Sequence, residues 1–234
     1  MFESRKRHQF SKGFRVYASA NPFTATLSRH IPGHKPMAKR REQDVNYQFA
    51  MDANPHSWLL AADSLHLQAI ALASKDPKGL LIQRDGQGRV IGQWDESNKA
   101  RFLLGGFALE NAIKAFLVYE HPHWISNGRL AKNLRSHSLT GLHAQSTLIP
   151  YKTRHRGALA AFEQGLESWA RYPCALSVEE SEPEPAMTAA IWTGYIFLMR
   201  AYGRRLQQLL SGKLWEGPHG FKGRWTFSGE FLSV

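Results

Sequence analysis

Apolar residues recur at alternating three- and four-residue spacings in several stretches of this chain, the period of one face of an α-helix. In "MDANPHSWLLAADSLHLQAIALAS", Trp58, Ala62, Leu65, Ala69 and Leu72 keep that spacing. Asn54 ahead of Pro55 supplies the start. An asparagine side chain accepts from free first-turn amides, and proline at the first helical position has no amide to leave unpaired. The next stretch, "NKARFLLGGFALENAIKAFLVYEHP", is apolar nearly all round and is stopped by Pro122. Such a helix belongs at the centre of a bundle, not on its surface. "TRHRGALAAFEQGLESWARYP" carries a stripe of Leu159, Phe162, Leu166 and Trp169, ended by Pro173. Trp192, Tyr195, Met199, Tyr202, Leu206 and Leu209 then make the most regular repeat in the sequence.

Shorter elements fill the gaps. "KGLLIQRDGQGRVIGQW" sets two β-prone runs around a glycine-containing turn and predicts a β-hairpin at about 78–95. Two strands alone are marginal, so the hairpin decorates the link between two helices. "HWISNGRLAKNLRSHSLTGLHAQ" reads as a loop and then a short helix, capped by Ser136 or Ser138 and edged by Leu139 and Leu142. The pattern predicts an all-α fold: an antiparallel helical bundle of four to five helices over residues 51–212 with one inserted hairpin. The aromatic extension 213–234 is expected to fold back onto the core, the alternative being base stacking beside Lys222 and Arg224.

Charge changes the picture at the N-terminus. The chain of 234 residues has net charge +11. Residues 1–41 hold ten Lys or Arg against the single acid Glu3. A basic arm over residues 1–50, outside the fold, is the expectation, with Met37 and Met51 as alternative starts. Such an arm attracts phosphates by counterion release. Mean hydropathy is −0.40, and no secretory signal or charge-free run of membrane-spanning length is visible. The expectation is a cytoplasmic protein without membrane association. One cysteine, Cys174, excludes an internal disulfide.

The apolar second helix contains "GGFALENAIKAF", with Glu110 and Lys114 inside it. The segments "GGFALENAIKAFLVYE", "NLRSHSLTGL" and "ARYP", in this order, resemble the HEPN superfamily (higher eukaryotes and prokaryotes nucleotide-binding domain). Phe107-Ala108-Leu109-Glu110 with Ile113-Lys114-Ala115 matches its second-helix pattern, and His137-Ser138-Leu139 with Leu142 matches the element that follows. The resemblance covers about residues 55–210. It implies a helical bundle, often dimeric, that interacts with a nucleotide or RNA, sometimes in toxin–antitoxin or defence systems. The ribonuclease branch carries Arg followed after four to six residues by His on its last core helix. Here that spacing occurs only from Arg29 to His34 in the arm. The resemblance therefore points to the nucleotidyltransferase-associated or a degenerate branch, with a partner nucleotidyltransferase or a homodimer and no catalysis expected.

Glu110 and Lys114 stand one turn apart, ~40° around the helix, in the order that favours an ion pair. Either they pair structurally in the core, or they line a polar pocket where Lys114 meets a phosphate and Glu110 orients a ligand or His137. His137 is the candidate general base, with Arg135 beside it; the plainer role is a turn hydrogen bond. Arg154, His155 and Arg156 open the next helix as phosphate-binding candidates or as solvated charges. The histidines match no zinc spacing, so neither metal nor cofactor is expected, and no phosphate loop or nucleophile elbow is present.

Overall fold

The apolar second helix is the axis of the fold. The computed structural model describes residues 37–74, 81–94, 97–151, 153–167, 170–171, 177 and 188–233. Among these, helix α3 (Ser97–Glu120) buries Phe102, Leu109, Ile113, Phe116, Leu117 and Val118. By length and composition α3 could cross a membrane, but 72% of its apolar window lies inside the bundle. It is a core helix.

The other helices pack around it. Helix α2 (Pro55–Ala73) makes the most extensive helix–helix contact, against α3. Asn54 caps it as expected, its side chain accepting from His56 and Ser57 at 2.8 and 3.1 Å. Helices α4 (Leu139–Gln145), α5 (Arg156–Glu167) and α6 (Ala189–Gly212) also contact α3. Leu159, Phe162 and Leu166 are buried from the α5 stripe, and Tyr195, Met199, Tyr202 and Leu206 from that of α6. Trp169, Pro173 and most of the acidic linker after it lie outside the described residues. Two glycines set the approach of α5 to α3. A Cβ on Gly105 would stand 2.7 Å from the Phe162 ring, and one on Gly106 2.7 Å from Leu166 Cγ.

The hairpin pairs β1 (Leu81–Arg84) with β2 (Val90–Trp94), antiparallel, Leu81 opposite Trp94. Asp85 closes its turn: Oδ1 accepts from the Gln87 and Arg89 amides at 2.9 Å each, and Oδ2 from Arg89 Nε at 2.7 Å. Those bonds hold the Asp85 carboxyl below its ordinary pKa. Gly88 takes φ 78°, which only glycine adopts freely.

The expected boundary at residue 50 is corrected. Helix α1 (Met37–Asp52) precedes α2, and its Ala50 is fully buried, Phe49 partly so. The Tyr47 ring meets Phe221 edge-on at 5.8 Å. Among its described side chains the apolar anchors lie in the C-terminal part of α1, so its helical stripe is too short to be read from spacing. Residues 1–36 lie outside the described residues. At the other end the tail folds back as expected. It forms a two-residue pair, β3 (Trp215–Glu216) with β4 (Lys222–Gly223), and buries Trp215, Phe221 and Leu232.

Candidate functional site: a basic connector held by core carboxylates

Glu110 and Lys114 sit at the centre of α3 with 6% and 5% of their side chains exposed. Lys114 Nζ lies 2.5 Å from Glu110 Oε1. The other carboxylate oxygen, Oε2, lies 2.9 Å from Nδ1 of His137, whose side chain is 54% exposed. A carboxylate only accepts, so Nδ1 carries the proton and Nε2 is the nitrogen left for a ligand. The Trp58 ring from α2 stands 5.6 Å from Lys114 Nζ, a cation–π distance. A buried ammonium, a buried carboxylate and a half-exposed imidazole thus form one chain of contacts. Both buried charges are compensated, as burial of charge demands.

His137 lies on the connector between α3 and α5, built of short 3-10 turns (Pro122–Ile125 and Lys132–Arg135) and α4. Leu134, Leu139 and Leu142 anchor it in the core. Two further core-helix carboxylates bind its polar atoms. Glu163 of α5 accepts from Ser138 Oγ at 2.8 Å and from the Thr140 amide at 2.6 Å, while Ser138 itself caps α4. Glu120 of α3 accepts from the Ser146 hydroxyl and from the Thr147 amide at 2.8 Å. With His137 on Glu110, three carboxylates from helices flanking the connector fix its conformation.

The connector itself supplies no anion. Between Glu120 and Glu163 the sequence has no Asp or Glu and six Lys or Arg. Of these Arg129, Lys132 and Arg135 are exposed beside His137 in sequence. This acid-free interval is the sequence signal that marks the surface as a unit. Glu120 and Glu163, its two boundaries, had no such signal of their own.

The expected residues separate into two groups. Glu110, Lys114 and His137 come together; Arg135 is exposed and is not a partner of Glu110. Arg154, His155 and Arg156 do not form one cluster. The Arg154 guanidinium lies 4.5 Å from the Phe197 ring centroid, and the His155 ring 4.6 Å from the same ring. Arg156 opens onto a cavity of about 460 Å³ with Thr140, His143 and Thr153. Phe197 of α6 diverts the other two, an arrangement no local pattern announces.

A second buried polar pair has no signature in the sequence. His66, fully buried, hydrogen-bonds Tyr195 Oη through Nδ1 at 2.8 Å. Desolvation lowers the His66 pKa and raises that of Tyr195. Among the described residues no group of three or more His, Cys, Asp or Glu could hold a metal ion.

Fold and site together define an all-α bundle whose basic connector is fastened by carboxylates of the core helices. Compared with family models, with curated proteins and with solved structures, the chain matches none.

Proposed function

We propose that this chain is a nucleotide- or RNA-interacting helical bundle of HEPN type, non-catalytic, that meets its ligand on the connector. The acid-free connector carries this reading: Arg129, Lys132, Arg135 and His137 are exposed on a segment fixed by Glu110, Glu120 and Glu163. A pre-fixed cationic surface binds phosphates without first ordering itself. Glu110 orients His137, and Lys114 pairs with Glu110 in the core. Pairing with an identical chain or with a nucleotidyltransferase belongs to the same reading and is measured by light scattering of the chain alone and with its partner.

The test is single-stranded RNA affinity against salt concentration. Removing one cation that neutralises a phosphate should flatten the log–log slope by about 0.7. Wild type is compared with Arg129→Ala, Lys132→Ala and Arg135→Ala, alone and combined. An unchanged affinity and slope in the triple variant would end the reading.

A second reading, RNA cleavage with His137 as general base and Arg135 as phosphate binder, draws on the Glu110–His137 hydrogen bond, since a base oriented by a carboxylate is the arrangement such chemistry uses. Equal cleavage by wild type and His137→Ala would dismiss it.

A further inference from the structure

The C-terminal tail builds a cleft whose lining includes no connector residue. Past α6 the chain turns back along that helix and is fastened at successive points. The Trp225 amide donates to Leu210 O at 3.1 Å, Arg224 Nε to Ser211 O at 3.0 Å, and Gln207 Nε2 to Gly229 O at 3.1 Å. Farther along, a Cβ on Gly203 would stand 2.1 Å from Phe231 O, so helix and tail backbones touch there. Leu232 is fully buried, and its amide donates to Asp63 Oδ1 at 2.7 Å. Helix and tail leave a cleft of about 570 Å³ between them. A smaller hollow of about 220 Å³ adjoins it, sharing Arg204 and Gln207.

The lining of this cleft is selective. Arg204 comes from the helix and Arg224 from the tail; no carboxylate lines the larger space, and Glu230 lines the smaller one beside Arg200 and Arg204. Among the described residues neither Arg200 nor Arg204 has an ion-pair partner. Trp225 and Phe227, both partly buried against the core, line the same space. Because Arg224 Nε is spent on Ser211 O, its terminal nitrogens are what remain for a ligand. Guanidinium groups grip phosphate by paired hydrogen bonds. Partly buried rings offer a face for a flat, hydrophobic group.

We propose that this cleft binds a nucleoside phosphate, free or as one residue of a strand. Arg204 and Arg224 take the phosphate, and the rings of Trp225 and Phe227 take the base. The volume lies in the range of small-molecule sites. The proposal uses no connector residue and stands or falls independently of binding there.

The full-length chain is titrated with AMP, with a short single-stranded RNA and with inorganic phosphate, reading tryptophan fluorescence and heat. The decisive variant is Arg204→Glu, which alters an exposed helix position and breaks none of the bonds that dock the tail. Its melting temperature should match wild type, and its affinity for AMP should fall at least about tenfold. Arg204→Lys should lose less. A loss confined to RNA would assign the site to a strand; a loss for both ligands would assign it to the free nucleotide as well. Phosphate alone should bind at least about tenfold more weakly than AMP. Arg84→Glu, on the exposed hairpin and outside both the connector and this cleft, should leave AMP binding intact. The proposal is overturned if wild type shows no saturable binding of AMP or RNA, or if Arg204→Glu binds both within about twofold of wild type. It is also overturned if phosphate binds as tightly as AMP. If AMP binding is lost in Arg135→Glu and kept in Arg204→Glu, the nucleotide belongs to the connector, and this proposal alone falls.

Discussion

At the residue scale, the buried pair on α3 makes a quantitative expectation. Removing the ammonium of Lys114 leaves Glu110 as a carboxylate in the core, with His137 as its one remaining side-chain partner among the described residues. Lys114→Ala should cost about 2–4 kcal/mol of unfolding free energy, several times a surface pair. Lys114→Met combined with Glu110→Gln should restore much of it, because two neutral side chains of similar size need no charge compensation. Denaturant midpoints of the two variants decide. If RNA affinity also survives in the double variant, the pair is architecture and His137 works without it. His66 makes a second expectation. Burial holds its pKa below the ordinary 6.5, so the native chain keeps it neutral while the unfolded chain takes up a proton. The unfolded state then binds more protons, and stability falls as pH drops below about 6.5. His56, lowered by the same cause, adds in the same direction. Urea midpoints from about pH 7 to about pH 5 should show the fall, with a smaller slope in His66→Gln.

At the element scale, close approaches rather than charges set the geometry. Gly105 lies under the Phe162 ring, which is itself enclosed by Phe102 and Tyr195 at 4.8 and 4.9 Å. That ring has little room to move, so Gly105→Ala should destabilise by about 1–3 kcal/mol, measured by thermal melting. Gly203 is more constrained, since the atom a Cβ would meet is a backbone oxygen of the tail. Gly203→Ala should therefore unseat the tail while leaving the α2–α3 packing intact. Limited proteolysis would show faster cleavage within residues 224–233, and helical circular dichroism should be little changed. A tail that stays protected in Gly203→Ala would mean that its docking does not depend on this close approach. The connector is a third case: Glu163→Ala frees both the Ser138 hydroxyl and the Thr140 amide. Faster amide exchange over residues 138–145, at unchanged exchange in α3, is the expected result.

At the scale of the whole molecule, the fold's N-terminal limit is testable by truncation. A chain starting at Met51 lacks the fully buried Ala50, the partly buried Phe49 and the Tyr47 ring that meets Phe221. It should melt several degrees below a chain starting at Met37, in proportion to about 1–3 kcal/mol of missing burial. Equal melting temperatures would return α1 to the status of an appendage. The distribution of charge has a molecular consequence too. The basic arm 1–41 and the acid-free connector are separate concentrations of positive charge in the sequence. Deleting residues 1–36 should reduce the salt dependence of RNA binding without removing the part that Arg135→Ala affects.

The division between sequence and structure follows from what each interaction depends on. Helix positions, the Asn54 cap, the stop before Pro122 and the hairpin rest on residues close in sequence, so the chain announces them through period and turn chemistry. The central place of α3 was equally legible, because a helix without a polar face has only one environment that suits it. The pairing of Glu110 with Lys114 is one helical turn and was readable for the same reason. The partnership of Glu110 with His137 was open among alternatives, and the diversion of Arg154 and His155 onto Phe197 was invisible. These interactions join residues far apart along the chain, and only the packing of α3, α5, α6 and the connector chooses between equivalent partners. Helix α1 failed to show because its anchors are few, and the Tyr47 ring meets Phe221, a residue of the tail far along the chain. The α6–tail cleft is the clearest product of tertiary structure. Arg204, Arg224, Trp225 and Phe227 are ordinary residues where they stand in sequence, and the reversal of the chain at the end of α6 brings them to one space.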